Sequence, residues 1–344
     1  MIVSGLGRHR LWFLAPLAGL AWAVSALPAQ DLGADWPCRV LPSQALNRSG
    51  KPPVITTLAL HPGGQLLAAA GDDHLIYVWD LSQEKVVRRL EGHTDWVHTL
   101  AFHPGGKALA SAGLDRRVIF WDVATGTRLH VNEEPRHAVT KIAWSSDGKT
   151  LAATGFENKL RIYDVAGRCL ERELDCPCRD MRAAVFSPDD ALLAAGGRNG
   201  IVRIWRRDEY SIADEFRAHG QRIRALLVSP DGQEFVSSGE DRKVHVWSLG
   251  AGAGFELPER PAKVYALAFV RPRLLAAGGS DNAIRLWDLA TRQEIGRLTG
   301  HKGSIAALAC DGKTLVSGSY DTTIRVWDVK ERVATTGPGD TTRK

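Results

Sequence analysis

The sequence predicts an all-β fold built from seven copies of a four-stranded antiparallel unit. An aromatic residue, followed by Asp in most copies, recurs at intervals of 40 or 42 residues, which is too regular to arise by chance. Gly, Pro and Asp punctuate the gaps between short apolar runs, as hairpin turns require, and no helical period interrupts them. The seven dipeptides are Trp79-Asp80, Trp121-Asp122, Tyr163-Asp164, Trp205-Arg206, Trp247-Ser248, Trp287-Asp288 and Trp327-Asp328.

The second copy, Gly92 to Asp122, shows how each unit is divided. Val97, Leu100 and Phe102 mark a first strand, and a His-Pro-Gly-Gly turn follows it. The segments expected next are a strand at 108–111, a tight turn at 113–116, a strand at 118–121 and a fourth strand at 127–131. Each unit is therefore predicted to be a four-stranded antiparallel meander.

This pattern resembles the WD40-repeat family over residues 52–330. The resemblance implies a seven-bladed β-propeller around a central channel, which we assign to residues 52–336. It also implies a buried tetrad of His, Ser or Thr, Asp and Trp in a blade, in which the polar groups satisfy one another. Three complete tetrads are present: His93, Ser111, Asp115, Trp121; His219, Ser237, Asp241, Trp247; and His301, Ser317, Asp321, Trp327.

The other four units depart from the tetrad pattern. The substitutions are Pro135, Pro177 and Arg260 for His, Ala69, Ala153, Ala195 and Ala277 for the hydroxyl residue, and Glu157 and Asn199 for Asp. We expect these units to fill the site with apolar packing instead of polar bonds. A Ser-His-Asp hydrolase is not favoured, because the trio recurs inside several blades whereas an active site is built once.

The first thirty residues predict an export signal. Arg8 and Arg10 precede an apolar stretch, residues 11–24, and small residues at 24–26 offer a cleavage point. Residues 1–26 are assigned as a signal peptide or, if uncleaved, as an N-terminal membrane anchor, and the chain is expected to be secreted or periplasmic. A bacterial envelope protein fits an export signal combined with this repeat.

Two segments compete to supply the strand that closes the ring. Residues 27–51 form an N-terminal segment, in which residues 38–46 are the favoured closing strand. Glu331 to Thr336 is the alternative, and residues 337–344 are expected to be a disordered tail.

Composition argues against several functional classes. The formal charge of +5 includes Arg8 and Arg10, so the mature chain carries about +3, too little to predict nucleic-acid binding. No disulfide pairing stands out among the five cysteines, and no metal-ligand spacing or phosphate-binding loop is present. We therefore expect no cofactor and no metal, in a monomeric propeller.

Partners of propellers with this repeat commonly bind the narrow face, at the mouth of the channel. Carrying the positions of that face onto this chain gives two sectors. The apolar aromatic sector contains Trp96, His98, Leu114 and Phe156, and the basic sector contains Arg182, Arg198, Arg222, Arg224 and Lys263, with Tyr265 and Tyr320 nearby. Aromatic residues and Arg dominate interface hot spots. The sequence thus predicts a non-catalytic scaffold for a partner peptide or loop with acidic residues; the alternatives are a small-molecule or glycan-binding propeller and a propeller enzyme.

Overall fold

The computed structural model describes residues 36–42, 51–249, 254–258 and 261–329, which all fall within one compact unit, Gly33–Lys344. The described residues form seven antiparallel sheets of four strands each, so the predicted seven-bladed propeller is confirmed. The predicted signal or anchor, residues 1–26, and the predicted tail, residues 337–344, lie outside the described residues.

Six blades follow the order of the chain. Their strands are β2 (Ile55–Leu60), β3 (Leu66–Gly71), β4 (Ile76–Asp80) and β5 (Lys85–Leu90) in blade 1; β6 (Val97–Phe102), β7 (Ala108–Gly113), β8 (Val118–Asp122) and β9 (Arg128–Asn132) in blade 2; β10 (Val139–Trp144), β11 (Thr150–Gly155), β12 (Lys159–Asp164) and β13 (Cys169–Asp175) in blade 3; β14 (Ala183–Phe186), β15 (Leu192–Gly196), β16 (Ile201–Arg206) and β17 (Ile212–Arg217) in blade 4; β18 (Ile223–Val228), β19 (Glu234–Gly239), β20 (Val244–Ser248) and β21 (Gly254–Glu256) in blade 5; and β22 (Val264–Arg271), β23 (Leu274–Gly279), β24 (Ile284–Asp288) and β25 (Gln293–Leu298) in blade 6.

Blade 7 joins the two ends of the propeller. It contains β26 (Ile305–Cys310), β27 (Thr314–Ser319), β28 (Ile324–Asp328) and, as its outer strand, β1 (Cys38–Leu41). Strand β1 pairs antiparallel with β28, and Leu41 packs at 1% exposure against Ile324 and Val326. An N-terminal strand therefore occupies the closing position, while the alternative segment at 331–336 lies outside the described residues.

The hydrophobic core lies between neighbouring blades. One cluster joins Ala68 and Ile76 of blade 1 to Leu100 and Trp121 of blade 2, and similar clusters bridge the following blades. The small residues of the second strands let adjacent sheets approach closely, so that the large tryptophans fill the clefts between them.

The first strand of most blades contains a β-bulge near its start. The register shifts in β2, β6, β10, β18, β22 and β26 each leave one extra residue in the innermost strand. A bulge redirects side chains, and here it does so at the mouth of the central channel. In blade 4, β14 begins directly after the corresponding residue, Arg182.

The three complete tetrads are hydrogen-bonded inside their blades. In blade 2, His93 Nδ1–H donates to Asp115 at 2.7 Å, and Ser111 Oγ bonds His93 Nε2 at 2.7 Å while accepting from Trp121 Nε1–H at 2.8 Å. Burial alone would raise the pKa of Asp115, but the bonds from His93 and from two backbone N–H groups lower it. The tetrads of blades 5 and 7 repeat the arrangement.

Blades 1, 3 and 6 depart from our expectation of apolar packing. A polar side chain of the third strand, four residues beyond the turn acid, pairs with that acid in place of His. The pairs are Tyr77 with Asp73 at 2.6 Å, Arg161 with Glu157, and Arg285 with Asp281. The alanines at the hydroxyl position are buried as expected, but the prediction was wrong for the turn acid, because a half-buried carboxylate needs a donor even when the histidine is missing.

Candidate functional site

The central channel opens on one face into a cavity of about 630 Å³. Two rings of residues line it, each with one member from every blade. The upper ring consists of the bulge residues and their counterpart in blade 4: Thr56, His98, Thr140, Arg182, Arg224, Tyr265 and Ala306. The lower ring consists of the next residue of each strand: Thr57, Thr99, Lys141, Ala183, Ala225, Ala266 and Ala307.

Trp96 and Tyr320 stand at the rim above the upper ring. Both line the cavity and remain 43% and 53% exposed. The backbone holds Trp96 in place, because its carbonyl oxygen accepts a hydrogen bond from the N–H of Leu114 at 2.9 Å. Gly113 permits this approach, since a Cβ there would lie 2.0 Å from the same oxygen. Large apolar side chains exposed at a concave surface are typical of binding sites.

Most arginines of the predicted basic sector are paired within the protein. Arg182 contacts Asp180 at 2.7 Å, Arg222 bridges Asp180 and Glu240, and Arg224 contacts Glu240 at 2.7 Å. Three guanidinium groups therefore share two carboxylates, which leaves this cluster with a small positive excess. Burial lowers the pKa of Arg182, and the carboxylate of Asp180 partly opposes that shift.

Two of these arginines also cover aromatic rings. Arg182 lies 4.6 Å above the ring of Phe156, and Arg224 lies 5.1 Å above the ring of Tyr265. Stacking and ion pairing hold the guanidinium groups in fixed positions at the cavity wall. An arginine ordered in this way loses little further side-chain entropy when it binds a partner.

The structure brings six of the predicted partner-binding residues to the cavity: Trp96, His98, Arg182, Arg224, Tyr265 and Tyr320. The other five lie around it. The residues that do not line the cavity are Leu114, Phe156, Arg198, Arg222 and Lys263. Phe156 contacts Arg182, which lines the cavity, and Arg222 contacts Asp180, the carboxylate partner of Arg182. Arg198 and Lys263 are exposed.

Lys141 is a lining residue that our interpretation of the sequence missed. It lies one residue deeper than Thr140 in the innermost strand of blade 3, inside the channel rather than at the rim. Alignment of the seven units against one another could have found it, because the other copies carry Thr or Ala at this position.

The charged side chains that line the cavity are cationic. Its lining includes Lys141, Arg182 and Arg224, and none of the described lining residues is Asp or Glu. Burial lowers the pKa of His98, and the nearby Arg182 charge lowers it further, which favours a neutral imidazole. Within the described ranges, no three His, Cys, Asp or Glu side chains converge as ligands for a metal ion.

A closed ring of seven blades with a lined mouth defines the class of the protein, a β-propeller with a central binding cavity. The sequence pattern of the family described as "WD domain, G-beta repeat" matches residues 43–80, 84–122, 126–164, 169–206, 211–248, 257–288 and 292–328. The chain therefore belongs to the WD40-repeat family. Propellers of this family are commonly interaction scaffolds and typically non-catalytic.

One curated relative is similar to a short part of the chain. It is described as "Probable serine/threonine-protein kinase PkwA" from Thermomonospora curvata, and it is 35% identical over 82 residues. The match covers 22% of this chain and 11% of the relative, so the chain spans a small fraction of that protein's length. The kinase description belongs to the relative.

None of the described residues forms a helix that is long and apolar enough to cross a membrane.

Proposed function

We propose that this protein is a non-catalytic scaffold that captures an extended segment of a partner protein at the mouth of the central channel. The observation that carries the proposal is the cavity itself, which combines exposed rim aromatics with fixed cationic groups in one concave site. A cavity of about 630 Å³ accommodates a few residues of polypeptide, in the range of small-ligand sites, and not a folded domain.

The rim provides apolar anchoring. Trp96 and Tyr320 come from blades 2 and 7, which are separated by blade 1, and both face the same cavity. A partner side chain placed between them would remove apolar surface of both rings from water. Burial of this kind contributes about 25 cal/mol per Å², so one large aromatic ring can supply a substantial part of the affinity.

The arginine cluster provides polar recognition. Arg224 lines the cavity, and its Nε atom has no hydrogen-bond partner among the described residues. An acceptor brought by the partner, such as a backbone carbonyl or a carboxylate, would find donors that are already oriented. Leaving such groups unpaired costs about 1–3 kcal/mol each, and a bound acceptor would relieve that cost.

A double substitution at the mouth tests the proposal. Affinity capture from the protein's own envelope fraction compares wild type with Trp96→Ala combined with Arg224→Ala. The matched control is Arg128→Ala combined with Leu129→Ala on outer strand β9, where both side chains are exposed away from the mouth. We expect the mouth variant to lose a partner that wild type and control retain, with about ten-fold or weaker binding once that partner is purified. Equal recovery by all three proteins would overturn the proposal.

We also propose that the protein works outside the cytoplasm. The support is the basic, then apolar, then small-residue order of residues 1–26. Fractionation of the source cells, with sequencing of the mature N-terminus, would show envelope location and cleavage after residue 26 or close to it. An intact N-terminus on a protein confined to the cytoplasm would contradict this.

A further inference from the structure

The lower ring of the channel contains one charged residue. In six blades the ring member is Thr or Ala: Thr57, Thr99, Ala183, Ala225, Ala266 and Ala307. Blade 3 supplies Lys141 at the equivalent position of the strand register. The four alanines belong to consecutive blades, 4 to 7, so one side of the channel offers open space while Lys141 projects from the other.

The ammonium group of Lys141 has no ion pair and no hydrogen bond among the described residues. Among the acids beside the mouth, Asp180 and Glu240 pair with three arginines, and Asp72 accepts a hydrogen bond from the backbone N–H of Val54. Burial lowers the pKa of Lys141 because enclosure removes water from its charge. Lys141 is half-buried and lines the cavity, so an anion that enters the cavity would meet a cation that has no partner among the described residues.

We infer that Lys141 binds a carboxylate that a captured segment inserts into the channel. The inference rests on the proposed capture of a polypeptide at the mouth and specifies its chemistry. Three features point to a carboxylate. The charged side chains that line the cavity are cationic, the alanines of blades 4 to 7 leave space in the channel for an anionic group, and the rim suits a peptide chain that would carry the anion inward.

A carboxylate can come from an acidic side chain or from a chain terminus. Three hexapeptides of otherwise identical sequence separate these sources. One carries an internal Glu and an amidated end, the second carries Gln and a free C-terminal carboxylate, and the third carries Gln and an amidated end. Binding to the full chain is followed by calorimetry and by the NMR signal of ¹³Cε-labelled Lys141, which is assigned by its loss in Lys141→Thr.

The variant Lys141→Thr is compatible with the fold, because blades 1 and 2 carry Thr at the same position. The control is Lys107→Thr, an exposed lysine in the turn at the opposite end of blade 2. We expect at least one carboxylate peptide to shift the Lys141 signal and to bind Lys141→Thr about ten-fold or more weakly than wild type. Binding to Lys107→Thr should be unchanged, and the neutral peptide should not distinguish the variants.

Acetate and acetamide separate failure of this inference from failure of the proposed function. Acetate should shift the NMR signal of Lys141 more than the signals of exposed lysines, and acetamide should have no effect. This result supports the carboxylate site even if none of the peptides binds and capture at the rim fails. A peptide that binds through Trp96 equally with and without its carboxylate overturns the Lys141 inference and leaves the capture function standing. An acetate response at Lys141 no larger than that of surface lysines overturns it as well.

Discussion

Replacement of Ser111 with Ala tests whether the buried tetrads stabilise the blades. The Ser111 side chain is fully buried, and its hydroxyl connects the indole N–H of Trp121 to Nε2 of His93. The substitution removes one oxygen and no carbon, so apolar packing changes little. It leaves two buried polar groups without partners, each of which costs about 1–3 kcal/mol. We expect the free energy of unfolding to fall by about 2–4 kcal/mol.

Ser238 provides the matched control. It is as fully buried as Ser111, but its hydroxyl has no hydrogen-bond partner among the described residues. Ser238→Ala should therefore leave stability unchanged or raise it by up to about 1 kcal/mol, because an unpaired buried hydroxyl is removed. The same chemical change at two equally buried sites is expected to differ in sign.

Blade 1 allows the reverse experiment. Ala69 occupies the hydroxyl position there, and the indole N–H of Trp79 is buried with no hydrogen-bond partner in the part of the chain that the structure describes. Ala69→Ser supplies an acceptor to that N–H and should raise the free energy of unfolding by about 1 kcal/mol. A loss of stability would show that the site in blade 1 has no room for the hydroxyl.

Urea unfolding, followed by tryptophan fluorescence and by circular dichroism, measures all three variants. The slopes of the transitions must agree before free energies are compared, because repeat proteins can unfold in parts. Equal losses for Ser111→Ala and Ser238→Ala would refute the reasoning, since burial and not hydrogen bonding would then account for the effect.

Three further predictions concern closure, protonation and thiol reactivity. In urea titrations, Leu41→Ala should lower the free energy of unfolding by about 2–4 kcal/mol, because Leu41 is buried in blade 7. Val40→Ala, on the exposed side of β1, should change that free energy by less than about 0.5 kcal/mol. Equal effects of the two substitutions would contradict closure of the ring by β1. Burial lowers the pKa of His301, so stability should be fully present above pH about 6.5 and fall as the pH drops through the folded pKa. His301→Gln should make the free energy of unfolding depend less steeply on pH in this range. Parallel pH profiles for wild type and variant would contradict the prediction. Iodoacetamide at pH 8 should modify the exposed Cys169 before Cys310, because burial raises the pKa of the Cys310 thiol to about 11. Mass spectrometry of digests measures the two rates of modification, and equal rates would contradict the prediction.

The blades and the three tetrads could be predicted from the sequence because their signals are local and repeated. Strand β6 was expected from Val97 to Phe102 and is found there, and the tetrad of His93 forms with the expected partners. Pairing across blades carries no such signal. The ion pair between Arg222 and Asp180 joins blades 5 and 4, so the free positive charge of the basic sector could not be judged without the structure.

The ion pairs and the hydrogen bond that replace the tetrads of blades 1, 3 and 6 could be predicted only in part from the sequence. A Tyr or Arg four residues after the turn acid is visible in the sequence, but one residue at that spacing is also common on an exposed strand. Its meaning depends on burial, and Arg161 is only 6% exposed in the structure. Comparison of the units does not settle it either, because Arg325 follows Asp321 at the same spacing in blade 7, whose tetrad is complete.

The bulge in the innermost strand explains why the residues at the channel mouth can vary while the packing between blades stays the same. The residue before the bulge, or before Arg182 in blade 4, is buried between blades at 3% exposure or less in every unit. These residues are all aliphatic or Met: Ile55, Val97, Val139, Met181, Ile223, Val264 and Ile305. The next position carries five different residue types in seven blades, because a side chain redirected into the channel does not pack in the core. Specificity of the mouth can therefore change, blade by blade, at little cost to the stability of the propeller.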